Sequence, residues 1–147
     1  MIWARRGSGV DVRAGLKGLT PARVRRIAIA NPEHAPYGRA AVAALTAAGV
    51  YDQVKTKLVF GENVSQAAQF VQSGNADAGL LPLSLAKAAP LSTAGDYSAV
   101  PPSLYPPIEQ AAVVVKRSSN RAAAREFLAF LQRPETRELL AQAGFGR

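Results

Sequence analysis

The sequence predicts an α/β domain with a mixed sheet flanked by helices, and three observations carry that expectation. Short apolar runs of strand length alternate with segments whose apolar residues recur at helical spacing. Gly, Pro and Asn fall between these segments, where turns and helix ends need them. Hydrophobic residues make up 48% of the chain, enough for a core, although alanine supplies much of that figure and buries little area.

The elements follow in chain order. Ile2, Trp3 and Ala4 read as a short strand, and the basic, glycine-rich residues 5–18 as a loop. Thr20 and Pro21 fit the cap and first position of a short helical turn. Arg26 to Ala30 alternate alanine with isoleucine and predict a strand. Residues 31–38 contain two prolines and a glycine, which predict a loop, and residues 39–48 a helix stopped by Gly49. Residues 57–60 predict a strand. Asn63 is a good N-cap, with Gln66 three residues on, for a helix over residues 64–72. Its apolar face is Val64, Ala67, Ala68 and Val71, and Gly74 ends it. Residues 77–81 predict a buried strand and 84–88 a short helix. Residues 90–107 are rich in proline, with an extended piece near 97–100. Ala111 to Val115 read as a fully buried strand. Ser119 or Asn120 then caps a helix to about Gln132, and Pro134 opens a last one.

Composition narrows the function classes. The formal net charge is +8, with arginines gathered at 5, 6, 13, 23, 25 and 26 and again from 117 onward. A basic surface attracts anions. Nucleic acid is not expected, because no aromatic residues interleave with the basic stretches and no recognition motif is present. There is no cysteine, so disulfides and thiolate chemistry are excluded. The opening MIWARRGSGV has no apolar segment of the signal-peptide kind, so no signal peptide is expected in this chain.

No enzymatic constellation stands out, and neither a catalytic residue nor a side-chain metal site is expected. His34, the single histidine, sits in a proline-flanked loop. Ser65 and Ser84 lack a nucleophile-elbow setting. Glu62 and Asp77 stand in turn contexts that capping explains, and Glu33, Asp96 and Glu109 have no metal-ligand spacing. Gly7-Ser8-Gly9 and Gly144-Phe145-Gly146 lack the rest of any phosphate-loop pattern. Two strand–loop–helix junctions remain, one leading from Ile29 through Gly38, the other from Val59 through Asn63. In open α/β sheets ligands bind outside the carboxyl ends of the strands, where helix N-termini offer unpaired N–H groups to an anion.

The stretch IAIANPEHAPYG (residues 27–38) and the stretch GENVSQAAQFVQSGNADAG (residues 61–79) resemble the second lobe of bacterial molybdate-binding proteins of ABC importers. LYPPIEQAAVVVKRS (104–118) and FLAFLQRPETRELLAQAGF (127–145) continue the similarity over most of the chain. The resemblance implies a type II periplasmic-binding-protein-like lobe that holds molybdate or tungstate by neutral donors, without a cofactor. It maps this lobe's share of the oxyanion site onto the backbone N–H groups of Tyr37 and Val64. It implies a periplasmic location and a membrane permease of the ABC importer as partner. Nothing before Arg26 matches the serine-rich segment that carries the other lobe's ligands. The resemblance therefore implies a chain made of the second lobe and a C-terminal segment, with the first lobe largely absent. Residues 1–25 are then a remnant and crossover, 26–112 the lobe with an oxyanion half-site, and 113–147 a strand and helices that return to the first lobe. Binding by such a half-site is expected to be weak or absent, and Phe127, Phe130, Leu131, Leu139 and Leu140 are expected to favour self-association. The alternative expectation is a ligand-sensing regulatory domain built on the same lobe.

Overall fold

Five strands form one sheet: β1 (Ile2–Arg5), β2 (Ile27–Ala30), β3 (Leu58–Gly61), β4 (Ala78–Leu80) and β5 (Gly95–Ser98), in the order β3-β2-β4-β1-β5. In this computed structural model, which describes residues 1–145, β2 runs parallel to β3 and β4, while β1 is antiparallel to β4 and β5. The sheet is therefore mixed, as expected, with β1 alone reversed.

The period-2 alternation decides which side chain goes to which face. Ile2, Ala4, Ile27, Ile29, Ala78 and Leu80 pack on one face with Val12, Leu16, Leu19, Val24 and the helix α1 (Pro36–Ala47), through Ala41, Ala44 and Leu45. Trp3 and Ala28 face the other way, onto Ala67, Ala68 and Val71 of α3 (Val64–Ser73) and onto Leu81, Ala86 and Leu91. Residues 1–25 thus contribute β1, with Ile2 and Trp3 fully buried, and a 3-10 helix over Val12–Leu19. The Trp3 indole N–H donates to the Leu91 carbonyl at 3.2 Å, and a side chain at Gly95 would strike its ring. The Met1 ammonium donates to the Leu81 carbonyl at 2.9 Å, and burial lowers its pKa from 8.0 to about 6.

Three smaller helices, α2 (Tyr51–Val54), α4 (Leu83–Lys87) and α5 (Leu91–Ala94), complete a unit that spans Met1–Ile108. A second unit, Glu109–Arg147, holds α6 (Arg121–Leu131) and α7 (Pro134–Gln142), and Pro134 opens α7 as expected.

Three local expectations are corrected. The turn expected at Thr20 and Pro21 forms as a single hydrogen-bonded turn, with Val24 N–H donating to the Pro21 carbonyl at 3.0 Å, but Thr20 does not cap it. The N–H and hydroxyl of Thr20 both donate to the Lys17 carbonyl, so Thr20 closes the preceding 3-10 helix and is not free to cap another. The helix expected from residue 39 starts at Pro36, because proline at the first position forfeits no hydrogen bond. The buried strand expected at Ala111 to Val115 is absent among the described residues, and Val113 and Val115 are 83% and 64% exposed. A strand needs a ladder partner and a covered face, and this apolar run has neither. Asn120 does precede α6, but its side chain makes no capping bond.

Candidate functional site

The two strand–loop–helix junctions come together because β2 and β3 are parallel neighbours, with Ala30 opposite Gly61. Their carboxyl ends lie side by side, and each leads to a helix N-terminus on the same edge of the sheet. Two hydrogen bonds tie the loops together. Asn31 N–H donates to the Gly61 carbonyl at 2.7 Å, and His34 Nε2–H donates to the Glu62 carbonyl at 3.0 Å. His34 is thus a brace between the loops.

The α3 start is built by local cap chemistry. Asn63 is extended (φ −148°, ψ 176°), and its side-chain oxygen accepts from Gln66 N–H at 3.0 Å. The Gln66 side chain accepts in turn from Glu62 N–H at 2.7 Å. This is the expected capping box shifted by one residue, since the reciprocal bond goes to the position before the cap. It leaves the N–H groups of Val64 and Ser65 without a partner among the described residues.

The α1 start works differently. Ala35 at the N-cap has no side-chain bond to give, and Pro36 has no N–H. The Ala35 carbonyl accepts from Gly38 and Arg39, which leaves Tyr37 N–H unpartnered among the described residues. Tyr37 and Val64 thus sit in the first turns of two helices on one sheet edge. Each has a free N–H at the positive end of a helix dipole. Both residues are half-buried.

Two glycines missing from the sequence-level site make this approach possible. A Cβ on Gly38 would fall on the Ala30 carbonyl oxygen and come within 2.8 Å of the carbonyl carbons of Ala30 and Asn31. One on Gly61 would lie 2.7 Å from Ala67 N. Each glycine lets a helix start close against the end of its strand. Their signal in the sequence is a glycine at a strand-to-helix junction, a place where helix propensity alone disfavours it.

The weighed side chains do not assemble into catalytic machinery. Glu62 follows β3, whereas Asp77 precedes β4 at the opposite edge of the sheet, so the two form no acid pair. The Asp77 carboxylate instead accepts the N–H groups of Arg25 and Arg26 at 2.7 and 2.9 Å. Among the described residues no group of three or more His, Asp or Glu side chains could hold a metal ion.

A three-layer α/β lobe with unpartnered backbone N–H groups at two adjacent helix starts is an architecture suited to a solute-binding module. The chain belongs to the bacterial extracellular solute-binding protein family, whose model matches residues 1–146. It is 35% identical over 146 residues to the molybdate-binding protein ModA of Azotobacter vinelandii, covering 99% of this chain and 57% of that one. It is 34% identical to the protein of the same name from Rhodobacter capsulatus, covering 99% of this chain and 55% of that one. The structure of the Azotobacter vinelandii periplasmic molybdate-binding protein superposes with a TM-score of 0.83 at 30% identity, over 99% of this chain and 64% of that one. The chain thus spans little more than half the length of these curated relatives.

Proposed function

We propose that this chain binds molybdate or tungstate as one half of the substrate-binding component of a periplasmic ABC importer that works with a membrane permease. The observation that carries the reading is the pair of adjacent helix starts with unpartnered N–H groups at Tyr37 and Val64, in a lobe whose relatives are named for molybdate. A tetrahedral dianion fits such a site because fixed backbone dipoles compensate its charge without a buried counter-ion, whose own desolvation is costly. Neutral donors also select by geometry: the anion must place its oxygens where the N–H groups point. We take residues 26–112, whose sheet and core are completed by β1 and the 3-10 helix of residues 1–25, as the lobe that carries this half-site, and 113–147 as the segment that packs on a further lobe.

Calorimetric titration of the chain with molybdate, tungstate and sulfate tests the proposal. Heat and a thermal shift with the two larger oxyanions at up to millimolar concentration are expected. No heat and no shift with either of them would sink the reading for this chain.

Self-association belongs to the same reading. Phe127, Phe130 and Leu139 are 59%, 44% and 63% exposed on α6 and α7, and the two rings stack with centroids 6.4 Å apart. Such an apolar surface favours pairing with a second copy of the chain.

A further inference from the structure

The strand directions gather basic side chains on the sheet edge opposite the oxyanion site. Ala4, Ala78, Ile27 and Leu58 lie in one row across the sheet. The residues just beyond that row are Arg5 at the end of β1 and Arg6 after it, Arg25 and Arg26 before β2, and Lys57 before β3. Arg13 lines the same cleft as Arg5 and Arg6, and Arg23 Nε donates to the Gly9 carbonyl at 3.0 Å, which places it beside the loop that follows β1. The carboxylates here are already engaged. Asp77 holds the Arg25 and Arg26 N–H groups, Asp11 accepts from Arg13 N–H, and Asp96 lies 3.7 Å from Arg6. Arg5, Arg25 and Arg26 are exposed, and among the described residues their guanidinium groups have no hydrogen-bond or ion-pair partner.

This excess is not explained by the oxyanion site. Strands of this length hold the two edges about 15 Å apart at roughly 3.3 Å per residue. The screening length at physiological salt is about 8 Å, so the basic edge adds little to the field at Tyr37 and Val64. The charged residues closest in sequence to those N–H groups, Glu33, Glu62 and Arg39, carry no positive excess. The positive edge therefore faces a different anion. It is a broad array of guanidinium groups around an open cleft, carried by a strand end, a 3-10 helix and loops, and guanidinium pairs with phosphate oxygens in a bidentate manner. It also belongs to a chain of an extracellular solute-binding family, which sets nucleic acid aside. We propose that this edge, centred on Arg5, Arg6, Arg25 and Arg26, docks on the phosphate headgroups of an anionic lipid bilayer.

Sedimentation of the full chain with vesicles tests this. Vesicles of phosphatidylcholine with about a third phosphatidylglycerol are compared with pure phosphatidylcholine at low salt, where surface charge is least screened. Binding to the anionic vesicles alone, weakening as salt rises, is expected. Near an anionic surface each arginine contributes about fivefold in partitioning, so the double variant R25Q/R26Q is expected to lose roughly 25-fold. The charge-matched control R121Q/R125Q alters exposed arginines of α6 and is expected to retain most of the binding. Circular dichroism confirms that both variants are folded. Three results would overturn the proposal: no binding of the parent chain to anionic vesicles, equal binding to neutral ones, or equal losses in the two double variants. Oxyanion titration of R25Q/R26Q is expected to match the parent, so failure of the edge and failure of the oxyanion site are separable.

Discussion

Val64→Pro removes one hydrogen-bond donor while leaving the helix able to form. Val64 is the first residue of α3, where proline's missing N–H costs no intrahelical bond and its fixed φ suits the helix. A proline also constrains the residue before it to extended backbone. Asn63 already has φ −148° and ψ 176°, so its capping bond to Gln66 N–H survives. The remaining structural change is the half-buried valine side chain, and Val64→Ala is the control that truncates it but keeps the N–H. If Val64 N–H meets the oxyanion, its loss forfeits one hydrogen bond to a charged acceptor, about 1.5–3 kcal/mol. That corresponds to a loss of affinity of roughly 10- to 150-fold, at about 1.4 kcal/mol per decade. Calorimetry with molybdate on parent, V64A and V64P chains measures it, and urea unfolding shows whether V64P stays within about 1 kcal/mol of the parent. A folded V64P that binds like V64A would refute the assignment of Val64 as a donor.

Further outcomes follow from the same geometry. Gly38→Ala places a methyl on the Ala30 carbonyl, where no flexible side chain can yield. Overpacking of this kind costs about 1–3 kcal/mol, more than the helix-propensity gain of up to about 1 kcal/mol. A fall in Tm and weaker oxyanion binding are expected, and a rise in Tm would contradict the close approach. Asp77→Ala leaves the N–H groups of Arg25 and Arg26 without the acceptor that Oδ2 provides at 2.7 and 2.9 Å. Since hydrogen bonds to a charged group contribute about 1.5–3 kcal/mol, a loss of that order in urea unfolding is expected, and a change under about 0.5 kcal/mol would argue against the bracket. The double variant F127S/F130S is expected to shift the chain toward monomer in light scattering at high concentration. A parent chain that is monomeric throughout the same range would count against self-association.

What was legible in the sequence was what short-range chemistry determines. Asn63 and Gln66 announce a helix start because cap and acceptor lie within one turn of each other, and Gly74 announces the stop because φ of 80° suits glycine. Alternation in residues 27–30 reveals a strand with two covered faces. The reversal of β1 was not legible, because strand direction depends on partners that lie far away in the chain, Gly79 and Tyr97 for Trp3. The same non-locality explains the strand expected at Ala111 to Val115. An apolar run specifies what it would do beside a ladder partner, and the described residues provide none. The arginine clusters were visible as numbers along the chain. Their convergence was not, since Arg5 and Arg26 meet on one edge only because β1 and β2 run in opposite senses.

The site poses a harder problem, which follows from its chemistry. Every residue except proline carries a backbone N–H, so a site made of such groups leaves no mark in the composition. Side-chain inventories look for His, Asp, Glu and Ser, and here those searches return a brace at His34 and a structural acceptor at Asp77. The mark lies in what the backbone needs in order to approach and to stay unpaired. Pro36 and Ala35 withhold any cap from the first turn of α1. Gly38 and Gly61 bring helix and strand closer than a Cβ allows. The capping box of α3 draws the Gln66 side chain back to Glu62, which leaves the first two N–H groups without a partner among the described residues. Small or imino residues at two adjacent strand-to-helix junctions are therefore the readable trace of the neutral anion site proposed here. They carry the inference here because the two junctions follow parallel neighbouring strands; on strands at distant positions of the sheet the same residues would mark two unrelated helix starts.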